Sequence, residues 1–355
     1  MLHEGARKPI CIWAIFDIRP KSTEEKNTPH KGFARNYRIP PWCNIHPEEL
    51  FTIPQSLREN AQLLAGLEEG KLQEAFERQF ANFIFSSNMI ESAGLDESET
   101  WEIVKEMLSD TEPAGRVLSN NSKSRREVIR HVQALLYLKK RISDLECLSE
   151  EDFLNCHRIL TKKIPSSGGI QGYQGRYRFC EITVGSPLVL RTGEELCCPP
   201  PNKVAEYMKD WLMDYNTALT SCSDPVAVAS ELKIRFLVIH PFLDGNGRMS
   251  RPLFNSLITQ YYPHTIISFG ESKHERLRYN QSIRESIRRR APGIFAFFAL
   301  QKAMKSALKR LDEIPTSVQP PDFIVHGGDT RERGALHTST KSQSHSGQYD
   351  NDAVA

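Results

Sequence analysis

Between His240 and Arg251 the chain reads His-Pro-Phe-Leu-Asp-Gly-Asn-Gly-Arg-Met-Ser-Arg. An imidazole with a reference pKa near about 6.5 can take a proton from an alcohol at neutral pH. Asp244 supplies a hard oxygen of the kind that shares Mg²⁺ with substrate phosphates. Gly245-Asn246-Gly247 tolerates positive φ, so successive N–H groups can converge on one anion. Arg248 and Arg251 lie three apart, share a helix face, and offer guanidinium forks to phosphate oxygens. A glycine bend or an arginine pair alone describes an ordinary helix–loop–helix turn. All of these parts in one window mark the place where the chain is expected to do its work.

The elements that must hold these groups can be read on either side. Asp224-Pro225 is a helix start, a capping acid followed by proline at the first helical position. Val228, Leu232, Phe236 and Ile239 then mark one buried face. Pro241 disfavours helix at the residue before it, so the helix should end near His240. Phe242, apolar in a polar loop, should pin that loop to the core. The next helix should open at the glycine turn, where its free N–H groups and dipole favour a phosphate. It should run to Tyr261-Tyr262-Pro263, with a delayed or kinked start because of Pro252.

The full string resembles the signature of the Fic family, His-Pro-Phe-x-Asp-Gly-Asn-Gly-Arg-x-x-Arg, at every specified position from His240 to Arg251. The resemblance implies a mainly α fold, a Fic-type helical domain with a small β-hairpin flap. It implies transfer of AMP from ATP to a Ser, Thr or Tyr hydroxyl of a target protein, with Mg²⁺, and release of pyrophosphate. On that reading His240 is the catalytic base and Asp244 the metal ligand. Gly245, Asn246, Gly247, Arg248, Arg251 and Asn255 bind ATP, Asn255 being four residues past Arg251 and so facing the same pocket. Tyr279 and Asn280 stand where the family holds adenine, although packing would explain a tyrosine equally well.

A long helix is expected over about 71–92. Phe76, Phe80, Phe83, Ser87 and Ile90 form its stripe, and Gly94 lies past its end. Ser87 and Glu91 are one turn apart. Beside the signature this segment resembles the family's inhibitory helix, Ser or Thr, three residues, Glu, then Gly or Asn; Ser92 departs at the last position. The resemblance implies that Glu91 reaches Arg251 and takes the place of the ATP γ-phosphate. An arginine already paired with a carboxylate is less available to phosphate. Farther on, Arg176–Val184 alternates and is rich in β formers, with turn signals at Gly185 and Gly193, which predicts a hairpin within Arg178–Cys198. By resemblance this is the flap, docking a target segment as an added strand at about 178–198. Gly175-x-Tyr-Arg178 and Pro199-Pro200-Pro201 look like the family's surroundings for it.

Four regions follow: an irregular arm at 1–56, a helical region with the inhibitory helix at 57–145, a Fic catalytic core at 146–312, and a disordered tail at 313–355, too poor in apolar residues to fold. A length of 355 residues, 39% hydrophobic and 25% charged, describes a globular chain, and 46 basic against 44 acidic residues give no polyanion bias. No nucleic-acid partner is expected. No apolar run approaches the ~20 residues that cross a bilayer, so no membrane partner is expected either. The eight cysteines show no metal-ligand spacing, which suits free thiols and a cytoplasmic location. His157, on an apolar helix, is expected to be a satisfied core histidine. The sequence leaves a homodimer open. It also admits removal of AMP by the same site, use of another nucleotide or a phosphocholine donor, and a non-catalytic binding module.

Overall fold

The computed structural model describes residues 37–39, 56–62, 69–108, 122–145, 147–166, 169–182 and 198–313. They all fall in one compact unit that ends at Ile314. The described helices are α1 (Glu69–Ile90), α2 (Glu97–Leu108), α3 (Lys123–Leu145), α4 (Glu150–Thr161), α5 (Val204–Thr220), α6 (Pro225–Ile239), α7 (Asn246–Tyr261), α8 (Lys273–Arg288) and α9 (Gly293–Glu313). A 3-10 turn at Pro201–Lys203 leads into α5, and no strand occurs among the described residues. The mainly α expectation holds. The interior of the expected hairpin, 183–197, lies outside the described residues, as do nearly all of the arm and the tail from 314 on.

Helix α6 is the axis. It packs against α5, α7, α8 and α9. Most of its residues are buried, as in a helix enclosed by others, and they include Val226, Leu232, Ile234, Phe236 and Val238. Asp224 caps it by accepting from the Ala227 N–H at 3.1 Å, and Pro225 occupies the first position. The same carboxylate accepts from the Tyr37 hydroxyl at 2.7 Å. Truncating Phe236, which is fully buried, would cost about 3–5 kcal/mol.

A second, smaller core lies among α1, α2 and α3. Phe80, Phe83 and Ile84 meet Ile103, Val104, Val128 and Val132 there, and Ile266 joins them from beyond α7. Ala134 and Leu138 of α3 belong instead to the main core. Thus α3 is shared between the helical region and the body that carries α6 and α7.

Two boundaries differ from the sequence expectation. Helix α1 stops at Ile90, so Glu91 sits in the turn that follows rather than on the helix. Helix α7 runs without a break from Asn246 to Tyr261 with Pro252 inside it, so the delayed start is absent. Pro252 forfeits one backbone bond toward Arg248, but it is buried along with Leu253 and Phe254, and that packing holds the helix together. No described helix is long and apolar enough to cross a membrane.

Candidate active site

Helix α6 ends where the sequence predicts. His240 is its cap, in the left-handed conformation at φ 50° and ψ 61°. This turns the chain sharply and presents the imidazole beside the start of α7. The ring's Nδ1–H donates to the Leu237 carbonyl at 3.2 Å. Nδ1 therefore carries the proton and Nε2 keeps its lone pair. Burial lowers the His240 pKa to about 4, with Arg178 adding to the shift while the Leu237 carbonyl, Glu91 and Asp244 oppose it. At neutral pH the ring is an uncharged base.

The loop 241–245 is held from within. Asn246 accepts from the Phe242 N–H at 3.0 Å and donates to the Phe242 carbonyl at 2.8 Å. Its side chain is thereby committed to building the loop, and only its backbone N–H can serve an anion. Phe242 is fully buried, stacked on the His157 ring with centroids 3.6 Å apart and planes within 1°. His157 accepts from the Gly175 N–H through Nδ1 at 2.9 Å and donates through Nε2 to the Asp244 carbonyl at 2.9 Å. Burial drives its pKa down to about 3. As expected, it is a satisfied core histidine, and it ties the 164–175 loop to the loop of the signature.

Helix α7 then opens at Asn246, with Gly245 at φ 83° before it and no side chain capping its first N–H groups. Such a helix start favours an anion. Arg248 is buried, and its Nε and Nη1 have no hydrogen-bond partner. Buried unpaired guanidinium nitrogens are costly, and an anion at this helix start would supply what they lack. Nη2 of Arg248 reaches Asp244 Oδ1 at 3.4 Å, and the Gly245 N–H donates to the same oxygen at 2.5 Å.

The seat is filled by a carboxylate of the chain itself. A Cβ added at Gly247 would run into Glu91 Oε1, so the Glu91 side chain lies directly over the first turn of α7. Arg251, 1% exposed, donates through Nη2 to Glu91 Oε1 at 2.8 Å and to the Ser87 carbonyl at 2.9 Å, and through Nε to Ser87 Oγ at 2.7 Å. Desolvation works to raise the Glu91 pKa, but Arg251, Arg248 and Lys233 outweigh it and hold the carboxyl below its usual range. Arg251 is correspondingly raised: burial opposes, and the Glu91 charge wins. The turn bearing Glu91 is anchored on α3, where His131 Nδ1 meets Asn88 Oδ1 at 2.9 Å and Glu127 accepts from the Gly94 N–H at 3.0 Å.

The structure thus gathers His240, Asp244, Gly245, Asn246, Gly247, Arg248, Arg251, Ser87 and Glu91 around one helix start. Asn255 is the exception. Its amide pairs on both sides with the backbone of Ile267, at 2.7 and 3.0 Å, and also reaches the Arg251 carbonyl at 3.3 Å. It braces the segment after α7 and has no amide group left for a nucleotide, which corrects the expectation that it faces the pocket. Tyr279 is buried among Phe269, Phe295 and Phe298 and hydrogen-bonds Arg251, so it packs and braces rather than lying open to a base.

Lys233 escaped the sequence reading. It is buried, donates to Ser250 Oγ at 2.7 Å, and lies 5.5 Å from the Tyr279 ring centroid. Ser250 in turn donates to the Gly247 carbonyl at 2.9 Å, so the lysine supports the glycine turn from beneath. Burial and Arg251 pull its pKa well below the usual lysine range, with Glu91 opposing. Its surroundings alternate charged and apolar residues, Glu231-Leu232-Lys233-Ile234-Arg235, so nothing local set it apart from its charged neighbours.

Asp244 is 23% exposed at the mouth of the site, and no cluster of three or more His, Cys, Asp or Glu able to hold a metal occurs among the described residues. One carboxylate beside an anion seat fits a cation that takes most of its ligands from substrate phosphates and water, as Mg²⁺ does.

Comparison with known proteins agrees with this geometry. Residues 147–258 match the Fic/DOC family. A protein adenylyltransferase Fic from Nematostella vectensis is 27% identical over 224 residues, covering 61% of this chain and 46% of that protein. Its namesake from Drosophila yakuba is 26% identical over 229 residues, covering 63% and 41%. The chain thus spans less than half the length of these curated relatives. Among solved structures, Fic-1 from C. elegans superposes with a TM-score of 0.59 at 20% identity, covering 76% of this chain and 74% of that one. A Fic domain containing signaling protein from Bacteroides thetaiotaomicron does so with a TM-score of 0.55 at 22% identity, covering 73% and 98%. The signature loop, the helix start and the fold thus all agree with the match of residues 147–258 to the Fic/DOC family.

Proposed function

We propose that this chain is a protein adenylyltransferase, moving AMP from ATP to a Ser, Thr or Tyr hydroxyl of a target protein, and that Glu91 restrains it. The observation that carries this reading is the anion seat at the start of α7, where the Glu91 carboxylate lies over Gly247 and pairs with Arg251 while two buried nitrogens of Arg248 have no partner. A seat that attracts a carboxylate so strongly suits the phosphates of a nucleotide.

The chemistry follows from the ring of His240. Its Nε2 takes the proton of the target hydroxyl, whose oxygen attacks the α-phosphorus of ATP. A P–O bond forms to the acceptor, the bond to the β-phosphate bridging oxygen breaks, and pyrophosphate leaves. The N–H groups at Asn246–Arg248 and the guanidinium of Arg248 stabilise charge on the phosphate chain. Arg251 orients the γ-phosphate once Glu91 has withdrawn. Asp244 would hold Mg²⁺, which neutralises phosphate charge when bound. The target is held at the segment bounded by Arg178 and Cys198. Named relatives carrying the term adenylyltransferase support the donor and reaction.

Labelled ATP tests the proposal with wild type, Glu91→Gly and His240→Ala. Weak, strong and absent labelling of protein are expected in that order. Strong wild-type labelling that Glu91→Gly leaves unchanged overturns the restraint. No labelling by Glu91→Gly, with AMP released from a pre-modified target by wild type, would assign the site to removal of AMP instead.

A further inference from the structure

Arg178 is a buried cation with no ion pair among the described residues, although the nearby Glu181 favours its charge. It is 2% exposed, and no carboxylate lies within ion-pair distance among the described residues. Its guanidinium is instead surrounded by main-chain carbonyls. Nε donates to the His240 carbonyl at 2.9 Å, and Nη1 to the Cys180 carbonyl at 3.0 Å. Nη2 donates to the Pro199 carbonyl, and to the Ile239 carbonyl at 3.4 Å. Its own N–H donates to the Pro241 carbonyl at 2.8 Å. Three stretches of chain therefore meet on one side chain. They are the C-terminal end of α6, the chain just before the expected flap, and the chain just after it.

Each contact has a physical reason. The carbonyls of Ile239 and His240 are at a helix C-terminus, where the dipole favours a cation. Only a planar fork with five donors can satisfy four carbonyls in different directions; an ammonium cannot. His240 is a non-glycine residue at positive φ, a conformation that persists only where its surroundings over-determine it. Bonds to its own carbonyl and to that of Ile239 fix the peptides on either side of that strained residue, and the bond to the Pro241 carbonyl holds the next one.

We propose that Arg178 is the positioning residue for His240: it locks the strained end of α6 to both stems of the target-holding segment, and so sets the imidazole at a fixed place relative to the incoming hydroxyl. This rests on the transferase reading for the identity of the hydroxyl, but not for the placement of the ring. Arg178 also acts through charge. It is one of the groups facing the imidazole, with Glu91 and Asp244 on the opposing side. A fixed cation here adds to burial in keeping the ring neutral and ready to accept a proton.

The test uses the full chain with Glu91→Gly, adding Arg178→Met or Arg178→Lys. Three quantities are read: labelling rate at saturating Mg·ATP, Mg·ATP affinity by calorimetry, and titration of the His240 ring by NMR, assigned with His240→Gln. A misplacement of about 1 Å costs on the order of 100-fold in rate, so Arg178→Met should lose about that much while Mg·ATP affinity changes by less than about threefold. Its His240 resonance should titrate higher than in the parent but stay below the free-histidine value of about 6.5, because burial is the larger cause of the lowering and remains. Arg178→Lys keeps the charge but reaches fewer carbonyls, so it should lose rate and keep most of the lowered titration. Should the methionine variant not fold, the lysine variant carries the test through that split between rate and titration.

A His240 titration unmoved in Arg178→Met, or a rate within about threefold of the parent, overturns the proposal. So does an Mg·ATP affinity that falls in step with the rate, since that would place the effect in the nucleotide seat. If Glu91→Gly labels nothing at all, the transferase reading fails, while the NMR titration still decides what Arg178 does to His240.

Discussion

Replacing Ser92 by glycine should tighten the proposed restraint by Glu91, although Ser92 touches neither nucleotide nor target in the proposed reaction. Helix α1 ends at Ile90, and the turn that presents Glu91 requires Ser92 to adopt φ 52°. An L-residue in that region costs roughly 1–2 kcal/mol relative to glycine. Glycine loses more freedom when the turn docks, which returns roughly 0.5–1 kcal/mol. The net shift toward docked Glu91 is then about 0.5–1 kcal/mol, and since about 1.4 kcal/mol is tenfold, basal labelling should fall about two- to fivefold. Asparagine, which tolerates this conformation, should lie between glycine and serine. Valine, β-branched and strongly disfavoured there, should undock Glu91 and raise labelling well above wild type. The assay is the initial rate of labelling from ATP, with Glu91→Gly as the fully released reference. In that background the Ser92 substitutions should have no effect, because no carboxylate remains to be docked. Equal rates for glycine, serine and valine, or the reverse order, would refute the argument that backbone strain at this position tunes the restraint.

Three further outcomes follow from the same geometry. Gly247→Ala would set a methyl group where the Glu91 carboxylate now lies, so it should abolish Mg·ATP binding in calorimetry even with Glu91→Gly; retained binding would mean phosphate sits elsewhere. Asn246→Ala removes both bonds to Phe242 and should cost about 1–3 kcal/mol in urea melts by leaving the Phe242 backbone unpaired; an unchanged midpoint would show that the loop holds itself. His131, His157 and His240 all have pKa values lowered by burial, to well below normal, about 3 and about 4. Because the unfolded chain would bind those protons from about pH 6.5 downward, stability should fall as pH drops, each histidine adding about 1.4 kcal/mol per pH unit to the slope. Denaturant midpoints from pH 7 to 5 check this, and His157→Gln should reduce the slope by about one proton; a flat profile would sink it.

Much of the site could be read without coordinates because its parts are local. The glycine turn, the proline after His240 and the spacing of Arg248 and Arg251 are constrained by backbone sterics and helical periodicity over a few residues. Phe242 could be recognised as an anchor because an aromatic in a polar loop must be buried somewhere. Asn255 was misread for the opposite reason. Spacing placed it near Arg251, but its amide found the backbone of Ile267, twelve residues away in sequence. Arg178 and Lys233 gave no local sign of where they would lie, since an arginine in an alternating stretch is equally at home in solvent.

The amino-acid sequence determined a helical chain carrying a glycine turn of the kind that suits an anion, with a histidine before it and a helical segment upstream. Those are properties of short windows, set by dihedral preference and apolar period. Only the tertiary structure decided that Glu91 lies over Gly247, that Arg251 is enclosed by acceptors from α1, and that Arg178 binds four carbonyls from three separate stretches. Most of these contacts are remote in sequence, the farthest joining residues 164 positions apart. They form because burying a guanidinium demands a partner for each donor, a demand that the packed core meets from whatever residues it has brought near.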